Sequence, residues 1–297
     1  MALFTKPWKL SDGFLFGGAL AIAGFLLQIL RGPVRWPLVS SPVNIILITV
    51  FVIFILAAFM FRKKVGFFGW LGSSSAAVPS VSWTLILMVL MGLTAQVPAR
   101  GWLGNMVTFW PFVLCYIWMA SILGLVAINH ILRLGKSWKE IPAVLNHLGL
   151  FVILVCAALG SADKQTLEMT LVEGGTETDA FREDGTAVET GLSVRLEDFT
   201  METYPSGMPK RFASEVAVRG KSDNDVAAVI EVNKPLSIDG RKIYQYGYDE
   251  KAGTEGQTSI LQLVWDPWLP SVFAGIAMMI AGALLMMFTG LRKEERI

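Results

Sequence analysis

Asn44-Ile45-Ile46-Leu47-Ile48-Thr49-Val50-Phe51-Val52-Ile53-Phe54-Ile55-Leu56-Ala57-Ala58-Phe59-Met60-Phe61 runs through 18 residues without a charged side chain. A helix needs about 20 mostly apolar residues to cross the hydrocarbon core of a bilayer. Within that core every backbone N–H and C=O must be paired inside the segment, which leaves the helix as the available form. Working outward, five more stretches have the same character: residues 14–30, 80–96, 108–132, 141–160 and 269–291. None is interrupted by Asp, Glu, Lys or Arg, although Ser80, Ser82 and Thr84 make the start of the third segment polar. The first segment ends in Leu-Gln-Ile-Leu-Arg, which lacks the small residues of a signal-peptide cleavage site.

The composition agrees. Hydrophobic residues make up 54% of the 297 and charged residues only 16%, with a mean hydropathy of +0.55. Ordinary soluble domains carry about 25% charged residues. That deficit excludes a soluble enzyme of ordinary type and a disordered chain. With 25 basic against 24 acidic residues there is no excess of positive charge for nucleic acid, so no nucleic-acid partner is expected. Cys115 and Cys156 both fall in apolar runs and suggest neither a disulfide framework nor a cysteine metal site.

Lysines and arginines in short loops orient the helices. With both termini in the cytoplasm, the inner side holds Lys6, Lys9, Arg62, Lys63, Lys64, Arg133, Lys136, Lys139, Arg292, Lys293 and Arg296. The outer short loops then hold only Arg31, Arg35 and Arg100. Pro79, Pro142 and Pro270 are read as lying near segment starts, where a missing N–H costs little. One long loop, 161–268, contains 20 of the 24 acidic residues. Leu192-Ser193-Val194-Arg195-Leu196, Val216-Ala217-Val218-Arg219 and Ile243-Tyr244-Gln245-Tyr246 alternate with the period of a half-buried strand. Gly174-Gly175, Asp184-Gly185 and Asp239-Gly240 supply turns. The expectation is a polytopic α-helical membrane protein of about six transmembrane helices with one all-β extracytoplasmic domain. That domain is read as about seven short strands forming a sandwich.

The chain has two histidines, His130 and His147. Both fall at membrane depth near the cytoplasmic side. His130 lies close to the end of its helix and reads first as an interfacial residue. His147 lies six residues into the fifth segment, about 9 Å along a helix rising 1.5 Å per residue. An ionisable residue inside a membrane is expensive and faces protein or a water-filled cavity. Neutral imidazole is a common metal ligand and an axial ligand of haem. Two histidines on adjacent antiparallel helices at similar depth can share one iron, or can merely share a leaflet. Trp83, Trp102, Trp110 and Trp265-Asp266-Pro267-Trp268 read as an aromatic belt. No phosphate-binding loop, His-Glu-x-x-His or Gly-x-Ser-x-Gly motif occurs.

Three stretches together resemble the ResB/CcsB family of cytochrome c biogenesis proteins. The first is 83–98, ending Met91-Gly92-Leu93-Thr94-Ala95-Gln96-Val97-Pro98; Leu93 between Gly92 and Thr94 departs from the family's pattern. The second is His147-Leu148-Gly149-Leu150-Phe151-Val152-Ile153-Leu154, continuing to Gly160, which is similar to the family's histidine-led helix. The third is Val232-Asn233-Lys234-Pro235-Leu236, then Gly240, Ile243-Tyr244-Gln245 and Tyr248-Asp249, with Asp266-Pro267 leading into the last helix. The resemblance covers about residues 70–291. It divides the chain into two additional N-terminal helices with a cytoplasmic loop (1–79), three helices of the family core (80–160), the extracytoplasmic β domain (161–268), and a final helix with its tail (269–297).

The resemblance implies a component of a cytochrome c biogenesis complex in the bacterial cytoplasmic membrane. With a CcsA/ResC-like partner it would carry haem outward and present it for attachment to apocytochrome c, with a thiol-reducing protein keeping the acceptor cysteines reduced. His147 would be the axial ligand of the haem iron, with His130 the weaker candidate. Lys63, Lys64, Arg133, Lys136 or Lys139 would meet the propionates. No residue here serves evidently as acid, base or nucleophile, so the chain is expected to be a non-catalytic partner within a synthase complex. The competing class is a membrane receptor or scaffold whose β domain binds an extracytoplasmic protein. An ion-coupled transporter is disfavoured, because no segment carries Asp, Glu, Lys or Arg.

Overall fold

The computed structural model describes residues 8–135, 137–206, 208–222, 224–248 and 258–294. Lys6, Lys136, Asp249 and Arg296 of the sequence reading lie outside them. The chain divides into two units, one formed by residues up to 163 together with those from 268 onward, the other by residues 164–267.

The first unit is helical. Its elements are α1 (Leu10–Arg31), α2 (Val43–Phe61), the short α3 (Gly66–Leu71), α4 (Ser74–Leu93), α5 (Trp110–Leu134), α6 (Ile141–Gly160) and α7 (Leu269–Glu294). Among the described residues, six helices are long and apolar enough to cross a membrane. Their starts follow local chemistry. The Lys9 backbone N–H donates to Asp12 Oδ2 at 2.7 Å, placing a carboxylate in the first turn of α1 where the helix dipole favours it. Pro111 and Pro142 occupy the first turns of α5 and α6.

Pro79 departs from its expected place at a helix start. It lies inside α4, which begins at Ser74, well before residue 80. The polar start of this segment does not end the helix, because its hydroxyls turn back on it. Ser80, Ser82 and Thr84 donate to the carbonyls of Ala77, Val78 and Ser80. Proline at 79 removes the donor that would pair the Ser75 carbonyl. Gly13 of α1 packs against that same carbonyl, and a Cβ at Gly13 would lie 2.5 Å from it.

Where α6 meets α7, Gly149 and Gly275 face each other. A Cβ on Gly149 would sit 2.7 Å from the Gly275 carbonyl oxygen, and one on Gly275 would sit 2.8 Å from that of Gly149. Small residues thus let the two backbones touch. On its other side α6 is tied to α5, whose Tyr116 hydroxyl donates to the Leu154 carbonyl at 3.0 Å.

The second unit is all β, as expected, but it is not a sandwich of seven short strands. Eight strands form one antiparallel sheet in the order β5-β4-β3-β2-β1-β8-β7-β6. They are β1 (Gln165–Val172), β2 (Thr176–Phe181), β3 (Ala187–Thr203), β4 (Pro209–Arg219), β5 (Asp225–Glu231), β6 (Leu236–Ile238), β7 (Arg241–Tyr248) and β8 (Thr258–Trp265). The sheet curls until β5 comes back against β6 and β7 at its opposite end, giving a near-barrel. Irregularities in register between Glu177 and Asp179, Leu196 and Asp198, and Gln245 and Gly247 supply the bending. Met169, Leu171, Val194, Leu196, Val218, Ile230, Ile243 and Leu261 fill the interior. A buried polar network joins strands from opposite parts of the sheet. Ser214 Oγ on β4 lies 2.6 Å from Gln245 Oε1 on β7 and 2.7 Å from Ser259 Oγ on β8.

Candidate functional site

His130 stands in the penultimate turn of α5 and His147 is the seventh residue of α6. These helices are antiparallel neighbours joined by a tight connection. Within it the backbone N–H of Ser137 donates to the carbonyls of Arg133 and Leu134. A single 3-10 turn, Trp138–Glu140, then feeds straight into α6. The short link aligns the two histidines. Their rings stack with centroids 4.9 Å apart and planes inclined by 23°, and both side chains are half-buried.

Each ring is anchored through Nδ1. His147 Nδ1 lies 2.8 Å from the Ala143 carbonyl oxygen, one helical turn back. A carbonyl only accepts, so Nδ1 is the donor in this contact and Nε2 is the nitrogen left for another partner. His130 Nδ1 lies 2.7 Å from Glu140 Oε2. A carboxylate likewise takes the Nδ1 proton and leaves the neutral ring's lone pair on Nε2. A backbone carbonyl or carboxylate at one ring nitrogen, fixing tautomer and orientation, is the usual support of a metal-binding imidazole. The donor chemistry therefore fits a haem iron at His147 Nε2.

In this structure the two rings lie face to face and are not aimed end-on at each other. Axial imidazoles point end-on at each other, with about 2 Å from each nitrogen to the metal. Rings lying face to face at 4.9 Å are side by side instead. Among the described residues no group of three or more His, Cys, Asp or Glu side chains is placed to hold a metal ion. A bare ion would find too few ligands here, whereas porphyrin brings four nitrogens of its own.

The other candidates are spread along one end of the helices. Lys63 and Lys64 follow α2, Arg133 lies in the last turn of α5, and Lys139 lies in the 3-10 turn; all four are exposed. Arg62 is committed elsewhere: its guanidinium lies 3.5 Å over the Phe59 ring and donates to the Phe59 carbonyl. Several tryptophans read as a belt are bonded within the helical unit. Trp83 Nε1 donates to the Phe14 carbonyl, Trp110 Nε1 to that of Gly32, and Trp268 Nε1 to Asp163.

Glu140 and Asp163 were not singled out by sequence. Glu140 did carry a signal, as the one acidic residue in an otherwise basic connection between two apolar segments. Gln96 belonged to a recognised motif but had no assigned role. Its side chain donates to the carbonyls of Met91, Thr94 and Leu103 and accepts from the Met106 N–H, stapling the loop between α4 and α5.

Comparison with known proteins gives a consistent picture. Residues 136–260 match the model of the ResB-like family. The cytochrome c biogenesis protein CcsB of Synechococcus sp. (strain RCC307) is 32% identical over 127 residues, which cover 42% of this chain and 28% of that protein. The CcsB of Prochlorococcus marinus (strain NATL2A) is 31% identical over 102 residues, 34% of this chain and 23% of the relative. The matched stretch thus spans about a quarter of these relatives. Among solved structures, the cytochrome c heme lyase CcmF aligns over 94% of this chain and 46% of its own, at 13% identity and a TM-score of 0.38. The His147 helix and the motif from Val232 to Tyr248 lie within the family match, and 83–98 lies outside it.

Proposed function

We propose, for a chain whose residues 136–260 match the model of the ResB-like family, a role in cytochrome c biogenesis in which it receives haem within the membrane. Acting with a CcsA/ResC-like partner, it carries haem across the bacterial cytoplasmic membrane and presents it for covalent attachment to apocytochrome c. Haem is the cargo and not a resident cofactor. The observation that carries this reading is His147: an imidazole inside an apolar helix, with Nδ1 tied to the Ala143 carbonyl and Nε2 left for another partner. Burying a polar ring in that setting is costly, and ligation of iron is a use that accounts for it.

The basic bias of the short loops supports a topology with both termini and the histidine pair on the cytoplasmic side, where haem is supplied, and the β domain outside, where apocytochrome c resides. Lys63, Lys64, Arg133 and Lys139 lie at the helix ends on that inner side and suit the two propionates. No other histidine is present in the chain, so a second axial ligand and the outward-facing chemistry come from the partner. The thioether bonds require reduced cysteines on the acceptor, which assigns a thiol-reducing protein to the same pathway.

The test is His147→Ala in the complex purified with its partner. The Soret absorption of co-purified haem is expected to fall towards background and cytochrome c maturation to be lost, with added imidazole restoring part of both by filling the vacant position. A folded variant that keeps full haem and full maturation sinks the assignment and leaves the receptor or scaffold reading.

A further inference from the structure

We infer that Glu140 and His130 form a positioning pair that fixes the plane of the His147 imidazole for haem iron. This rests on the reading of His147 as ligand and goes beyond it by giving roles to two side chains outside that reading. The torsion that sets an imidazole plane is broad and lacks the sharp wells of an aliphatic side chain. The hydrogen bond from His147 Nδ1 to Ala143 pins one atom of the ring but does not brace its face. The His130 ring supplies that brace, stacked at 4.9 Å and 23°.

His130 has the same soft torsion and needs an anchor of its own. Glu140 provides it through the 2.7 Å contact between Oε2 and Nδ1, a charge-assisted hydrogen bond stronger than a neutral one. Glu140 immediately precedes α6, where the helix dipole favours its negative charge. The clamp therefore runs from the residue that caps α6 to a residue within that helix, with a residue of α5 held between them. His147 is oriented against α5 without a covalent link, and a change in the packing of α5 on α6 would turn the ring.

The full-length protein in detergent, titrated with hemin, tests this by two readouts: the half-saturation of the Soret change, and the low-temperature paramagnetic resonance spectrum of the ferric complex, which senses the ligand plane. Glu140→Ala and His130→Ala are expected to raise the half-saturating hemin concentration roughly tenfold, the low end of what partners of ligating histidines contribute, and to broaden or shift the resonance. Glu140→Gln keeps an oxygen that accepts the Nδ1 proton and is expected to restore most of both. The Glu140 variants retain both rings and stand in for His130→Ala if that protein does not fold. His147→Ala separates the two levels of the reading. If it binds hemin as the unaltered protein does, the ligand assignment falls and this inference with it. If it loses hemin while the Glu140 and His130 variants match the unaltered protein in both readouts, the inference alone falls. Weakened binding with an unchanged resonance and no rescue by Glu140→Gln also overturns it, because that pattern marks general loss of structure.

Discussion

Asp163 collects donors from three distant places in the chain. Its carboxylate accepts from the Ser41 backbone N–H at 2.6 Å, from Asn44 Nδ2 at 2.8 Å and from Trp268 Nε1 at 2.7 Å. Burial pushes its carboxyl up, but the bonds from Trp268, Ser41 and Asn44 outweigh that and hold it below the ordinary carboxylate range. A depressed native value means that its contribution to stability is complete above the unfolded value of about 3.9. That contribution is lost as the pH falls below this through the native value. Asp163→Asn replaces one acceptor oxygen with a donor facing donors. It is expected to lower the melting temperature in detergent at pH 7 by an amount corresponding to roughly 1 kcal/mol, the net worth of a hydrogen bond at a partly exposed site. The gap from the unaltered protein should narrow at acid pH, and a gap independent of pH would show that the charge contributes nothing. None of this was legible in sequence, since one Asp after an apolar run has no mark of its partners. The histidines were legible because they are two in number and sit at matched depth. Their stacking and the hold of Glu140 were not, because both depend on the tightness of the Arg133–Glu140 turn.

At the scale of elements, hydrophobic runs located the six long helices to within a few residues, apart from the start of α4, whose serine and threonine hydroxyls satisfy themselves on its own carbonyls. Alternation likewise marked which β residues face inward: Leu192, Val194 and Leu196 are buried as their period of two requires. Alternation fixes faces and leaves closure open. Whether inward residues meet a second sheet or the far side of their own depends on where the register slips, and Thr178, Glu197 and Tyr246 carry no signature of a slip. The α6–α7 contact has a sharper consequence. Gly149→Leu would drive a side chain into the Gly275 carbonyl and Met278. It is expected to cost roughly 1–3 kcal/mol as overpacking, read as a lower melting temperature, and to reduce co-purified haem because His147 is two residues away. Retention of both would mean that the two helices are free to separate.

For the whole molecule, the division at residues 163 and 268 coincides with a change from apolar runs to alternating, acidic sequence. The membrane orientation rests on lysine and arginine counts and is open to direct measurement. Ser222→Cys, on the hairpin after β4, is expected to react with an impermeant thiol reagent on intact spheroplasts, and reaction only after lysis would invert the topology. The β unit begins and ends on adjacent strands, with Gln165 paired to Trp265, so it interrupts the chain between α6 and α7 with its two ends side by side. That interruption sets an order in time. The helix bearing His147 leaves the ribosome more than a hundred residues before the helix whose glycine it packs against. At about 5–20 residues per second, α6 waits on the order of 5–20 s for α7. During that interval α5 is already made, so the bond from the Tyr116 hydroxyl to Leu154 and the stacking of His130 on His147 can form before α7 closes the bundle.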